Sequence, residues 1–170
     1  MTRKHNFIKL GFFVLIVVYL LPFRSFAQGL NEDALKKGMD FLHNGKYDEA
    51  ITEFNKVIQT NSTDSAEAFY NRADVYRLKN NYDQAISDLT NAIELKSNYA
   101  KAYFGRGCIY DQKSKYDQAI ADYTKAIELD PKYAGIYYNR GIDYVNESNY
   151  DQAILDFTKA VELNPKKIKY

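Results

Sequence analysis

From residue 31 onward, apolar positions fall into short runs with helical spacing, separated by polar breaks of a few residues. In one run Tyr103, Gly107 and Tyr110 stand at i, i+4 and i+7. Past the break KSK, Tyr116, Ala119, Ile120, Tyr123, Ala126 and Ile127 form a second apolar stripe on one helix face. The other breaks, HNGK, KNN and ESN, are polar and rich in residues that tolerate turn geometry. Asp48, Asp83, Asp117 and Asp151 open the run after each break, where a negative charge complements the helix dipole. Pro131 and Pro165 stop the last two of these runs. The pattern predicts an all-α chain of paired helices.

The pairs are copies of one unit. KYDEAITEF begins at Lys46, NYDQAISDL at Asn81, KYDQAIADY at Lys115 and NYDQAILDF at Asn149. Tyr47, Tyr82, Tyr116 and Tyr150 are separated by 35, 34 and 34 residues, and Ala50, Ala85, Ala119 and Ala153 keep the same steps. The one extra residue falls in NSTDS, Asn61 to Ser65, where a connecting loop absorbs it. Small residues at Gly38, Ala73, Gly107 and Gly141 are expected to face those alanines, letting two helices approach closely. The large side chains Phe54, Leu89, Tyr123 and Phe157 are expected to fill the space between hairpins. A helix of about 13 residues is marginal alone in water. One hairpin cannot bury both of its stripes, so neighbouring hairpins must supply the missing surface.

The period and the alternation of small and aromatic positions resemble the tetratricopeptide repeat family. The resemblance covers roughly Asn31 to Lys167, with units at about 31–64, 66–99, 100–133 and 134–167 inside a domain of residues 28–170. It implies a right-handed α-solenoid of about four helix-turn-helix hairpins. Two features depart from the family pattern. Phe69, Tyr103 and Tyr137 stand where tryptophan is usual, and Ser62 and Ser97 replace the closing proline.

Composition adds an address and removes several functions. Residues 1–27 carry Arg3, Lys4, Lys9 and Arg24 and no acid, and Leu10 to Phe23 is an unbroken apolar run. Fourteen residues span about 21 Å as a helix, short of the roughly 30 Å hydrocarbon core. Ser25 and Ala27 have the spacing read by a signal peptidase, so a cleaved secretory signal is expected, with a periplasmic or secreted product starting at Gln28. The alternative is an uncleaved anchor in the membrane, lengthened by Phe7 and Ile8. After cleavage no membrane span is expected. Without the four leader bases, 19 Lys and Arg remain against 22 Asp and Glu, and no basic stripe favours nucleic acid. Cys108 has no disulfide partner, and with His43 it is too little for zinc. His43 is the one imidazole after the leader, and no glycine-rich phosphate loop occurs, so neither catalysis, metal nor cofactor is expected.

One charge pattern runs through the stripe. Arg72, Arg106 and Arg140 stand just before the small residue, where the family more often has leucine, and a half-buried guanidinium needs a partner. Asp88, Asp122 and Asp156 occupy the edge of each second helix, and the first unit keeps both signs with Lys37 and Glu53. A ladder of ion pairs within or between units is expected.

In the family, first helices line a concave groove. The resemblance nominates Leu35, Tyr70, Phe104 and Tyr138 as a largely aromatic row. Asn71 and Asn139 flank it, with Lys101, Met39, Asp74, Cys108, Ile142, Arg77 and Asp111 nearby. Aromatic rings offer contact area at low entropic cost, and Asn bonds either group of a peptide backbone. A protein or extended peptide is the expected partner. The two-carboxylate clamp that holds chaperone tails is excluded: Asn71 and Lys101 match it, but Leu35, Met39 and Gly105 do not. A second function class rests on the last helix, whose Ile154, Phe157, Ala160 and Val161 lack a covering hairpin; docking there makes a homo-oligomer or a structural subunit of an envelope assembly.

Overall fold

The computed structural model describes residues 28–165. The expected leader, 1–27, and the last five residues lie outside them. Among the described residues there are eight α-helices and no strand. α1 runs over 28–43. It is followed by α2 Tyr47–Ile58, α3 Ser65–Leu78, α4 Tyr82–Leu95, α5 Ala100–Gln112, α6 Tyr116–Leu129, α7 Ala134–Asn146 and α8 Tyr150–Leu163. Each odd helix pairs with the next to make a hairpin, and each even helix packs on the first helix of the following hairpin. None of the described helices is long and apolar enough to cross a membrane.

The turns inside the hairpins share one geometry. Gly45, Asn80, Ser114 and Ser148 sit in the left-handed region, at φ of 71°, 60°, 56° and 59°. After each of them, the next amide reaches back to an orphan carbonyl of the first helix: Lys46 to Phe41, Asn81 to Tyr76, Lys115 to Tyr110, and Asn149 to Tyr144. The second helix therefore starts at a fixed angle, four times over. Asn61, at φ 47°, belongs to the loop that absorbs the extra residue. There the buried Asn31 amide of α1 donates to Thr60 Oγ1, Ser62 Oγ and Asp64 at 3.2, 2.9 and 3.2 Å, tying the chain's first helix to the loop after α2.

Packing inside the hairpins is set by ring against glycine. A Cβ at Gly38, Gly107 or Gly141 would lie 2.5, 2.7 or 2.6 Å from the ring of Phe54, Tyr123 or Phe157. These rings were expected to fill the space between hairpins. Each also lies on the glycine of its own hairpin, because only a position without Cβ leaves room for a ring so close to the backbone. Tyr123 shares a cluster with Ile136 of the next hairpin. Phe54 also belongs to the apolar cluster shared with Ala68 and Val75 of the next hairpin, so one side chain serves both contacts.

Candidate protein-interaction groove

The arginines form a repeated joint. Arg72 donates to both oxygens of Asp88 at 2.7 Å, Arg106 to both of Asp122 at 2.8 Å, and Arg140 to those of Asp156 at 2.7 and 2.8 Å. A third donor on each guanidinium crosses to the preceding hairpin: Arg72 to Asn55 Oδ1, Arg106 to Thr90 Oγ1 at 3.0 Å, and Arg140 to Thr124 Oγ1 at 2.9 Å. The cations also lie over aromatic faces, Arg72 between Phe69 and Tyr76 and Arg140 between Tyr137 and Tyr144. The rings that stand in place of tryptophan thus carry a cation. Burial opposes the charge on Arg72 and Arg140, and the bonds to Asp88 and Asp156 outweigh it, so both stay above the ordinary arginine range. For Arg106 the bond to Asp122 is the leading cause of the same upward shift.

The first hairpin departs from the expected ladder. Lys37 does not pair with Glu53. It turns to Asp33 one turn back at 2.7 Å, and Glu53 takes Lys56 at 2.6 Å. A lysine ammonium has no planar fork for two acceptors at once, and no second helix precedes α1 among the described residues to offer a further acceptor. Local pairs along α1 and α2 form instead.

α5 and α7 touch directly, whereas no two second helices among the described residues come as close, so the first helices of the last two hairpins lie on the inner side of the stack. Along this side the expected aromatic row is only partly open. Tyr70 is half-buried and stacks on Tyr99, with ring centroids 5.2 Å apart. Phe104 is half-buried against Tyr123 at 5.8 Å and meets Tyr133 edge-on at 5.3 Å. Tyr138 remains 54% exposed and Ile142 36%. The row is thus built with Tyr99 and Tyr133, which precede α5 and α7 and were not singled out in the sequence. Leu35 and Met39 pack on the first apolar cluster, and Lys101 points to solvent.

The polar candidates divide as well. Asn71 is buried. Asp74 and Arg77 neutralise one another, with Arg77 donating at 2.9 and 2.7 Å. Asn139 donates to Cys108 Sγ across α7 and α5 at 3.6 Å, and burial pushes the Cys108 thiol above its ordinary range. Asp143, absent from the expected set, is fully buried on α7. Its signal was legible: it stands where the second and third units have Val75 and Ile109.

At the far end of the stack, the expected docking face is only partly free. Ala160 is buried, and Phe157 packs over Gly141 and lies 5.8 Å from the Tyr138 ring. Both are occupied by their own hairpin. The exposed apolar side chains of α8 are Tyr150, Ile154, Leu155 and Val161, with Ile154 at 63% and Leu155 at 61%.

Comparison with known proteins follows the same lines. The family model "Tetratricopeptide repeat" matches residues 66–99, 100–133 and 134–167. No curated protein sequence matches the chain. Among solved structures, MamA is 34% identical, with 82% of this chain and 81% of that one covered and a TM-score of 0.74. The MamA fragment from residue 41 onward of Desulfovibrio magneticus RS-1 is 25% identical, covering 82% and 78%, with a TM-score of 0.70. YrrB, described as a TPR protein with an unusual peptide-binding site, is 26% identical over 76% of this chain and 66% of its own, with a TM-score of 0.67.

Proposed function

Because the chain belongs to the tetratricopeptide repeat family, we propose that it is an exported protein-interaction scaffold holding an extended segment of another protein in its groove. The observation that carries this reading is Tyr138. A ring more than half exposed on the inner side, beside Ile142 and backed by Phe157, offers a flat apolar contact at low entropic cost. The peptide-binding description of YrrB supports the same use of a related fold. Binding rather than catalysis is the proposed activity. Export rests on the sequence of residues 1–27, and fractionation of the source cells checks it.

A peptide array probed with the protein and with Tyr138→Ala tests the groove. Tyr138 is exposed, so the variant keeps its helical circular dichroism, and bound peptides should be lost or weakened at least tenfold, the loss of one contact worth about 1.4 kcal/mol. Array hits indifferent to Tyr138→Ala, or no hits, would refute the reading.

A second reading has its own observation, the exposed apolar face of α8. Covering Ile154 and Leu155 is worth about 1.5–3 kcal/mol each, which favours a homo-oligomer or docking onto a larger envelope assembly. Light scattering on the protein and on Ile154→Lys tests self-association, and a monomer at every concentration would remove the homo-oligomer. Copurification from the envelope fraction that is indifferent to Ile154→Lys would remove docking.

A further inference from the structure

On the inner side of the stack, one buried carboxyl among the described residues has no hydrogen-bond donor. Asp143 has no exposed surface, and neither of its carboxylate oxygens has a donor within hydrogen-bonding reach. The group opposite is another acceptor, the half-exposed Asp111 carboxyl of α5, and Glu147, just past the end of α7, adds a further negative charge. From α6, the buried Tyr123 hydroxyl faces the same region, with Cys108 of α5 beside it. Neighbouring cations are already engaged. Arg77 holds Asp74 at 2.7 Å, Lys113 holds Asp83 at 2.6 Å, and Arg140 holds Asp156. Asp111 and Asp143 also sit in the last turns of α5 and α7, where the terminal carbonyls deepen the negative potential.

Two such carboxyls in contact do not both ionise readily. Burial first, and the facing Asp111 carboxyl second, push Asp143 up to about 8. Something positive belongs there. A divalent metal needs more ligands than two, and no cluster of three or more His, Cys, Asp or Glu occurs among the described residues. One ammonium or guanidinium group needs only the pair.

We propose that Asp111 and Asp143 anchor a basic side chain, Lys or Arg, of the segment held in the groove, which reaches the buried carboxyl between α5 and α7 from the half-exposed Asp111 side. This specificity rests on the groove reading above. It gives the third and fourth hairpins a preference that the second lacks, since Val75 stands at the corresponding place. Binding then releases a proton, and affinity climbs by up to about tenfold per pH unit until the Asp143 midpoint, and levels off above it.

The test uses the protein with carbon-13 in its aspartate carboxyls. The probes are N-acetyl-lysine methylamide, its arginine counterpart and the uncharged norleucine counterpart. The expected result is that both cations shift the Asp111 and Asp143 signals and lower the Asp143 midpoint, with affinity rising with pH as above, while norleucine leaves them unmoved. Asp111→Asn and Asp143→Val, the latter carrying the residue of the second hairpin, should each lose the response. Equal shifts with lysine and norleucine, or no shift with any probe, overturn the anchor. If array peptides bind at Tyr138 regardless of their basic residues, the anchor falls and the scaffold reading stands. A cation response in a protein that binds no array peptide removes the scaffold and, with it, the anchor as a specificity for a held segment.

Discussion

Asp122→Ala strands the Arg106 guanidinium. Two charge-assisted bonds of 2.8 Å disappear, and the one remaining hydrogen-bond partner is the Thr90 hydroxyl. The arginine side chain is only 18% exposed and Asp122 only 8%, so water cannot readily replace what is lost. Breaking one partner of such a pair costs about 3–5 kcal/mol. Against a total of roughly 0.05–0.15 kcal/mol per residue, this is a large fraction of the stability of a chain this size. The structure supplies its own control in Asp83, which holds Lys113 at 2.6 Å but is 87% exposed. Asp83→Ala should change little, as exposed pairs do. Urea denaturation followed by circular dichroism compares the two variants, and hydrogen exchange locates the damage at α5, α6 and the adjoining α4. A further variant, Arg106→Met with Asp122→Leu, removes both charges and should recover most of the loss. If Asp122→Ala costs no more than Asp83→Ala, the guanidinium is held by something other than its acid and the joint contributes no stability.

Three more outcomes follow from the same geometry. Asp143 is raised in the folded chain from its ordinary 3.8 to about 8, so its stabilising contribution is complete at acid pH and is lost as pH rises from about 4 to about 8. With allowance for solvent reaching Asp111, the loss is on the order of 3 kcal/mol. Asp143→Val should flatten that part of the stability profile, and an unchanged slope would contradict the assignment. Ser148→Gly relieves a left-handed residue that carries a Cβ and should raise stability by roughly 1 kcal/mol, read as an increase in the urea midpoint. Gly107→Ala drives a methyl to within 2.7 Å of the Tyr123 ring and should cost about 1–3 kcal/mol in the same assay; a neutral outcome would mean the ring moves aside freely.

The helical hairpins were legible because their signals are local and repeated. Tyr47, Tyr82, Tyr116 and Tyr150 mark each turn at a fixed step, and four copies of one pattern leave little room for a different assignment. The arginine partners were legible too, since a guanidinium inside an apolar stripe has few ways to be satisfied. Lys37 and Glu53 kept the signs of that pattern without its geometry, because sign is written in the residue type and reach is not. How open each ring of the aromatic row is was not legible, for another reason. Whether Phe104 is open depends on Tyr133, which arrives from the next hairpin and has no place in a pattern read one unit at a time. Asp143 was visible as an exception to Val75 and Ile109. Its meaning appeared only when α5 placed Asp111 opposite it.

Each guanidinium reaches sixteen residues forward to its carboxylate, and Arg106 and Arg140 reach the same distance back to a threonine. With matching strides, any of the last three units can follow another of them and find the same fastening. Duplication or excision of one whole copy would heal at a ready-made seam. The number of hairpins is therefore free to drift over generations while the coupling between neighbours stays constant, and such a stack can grow to match a longer partner without inventing a new joint.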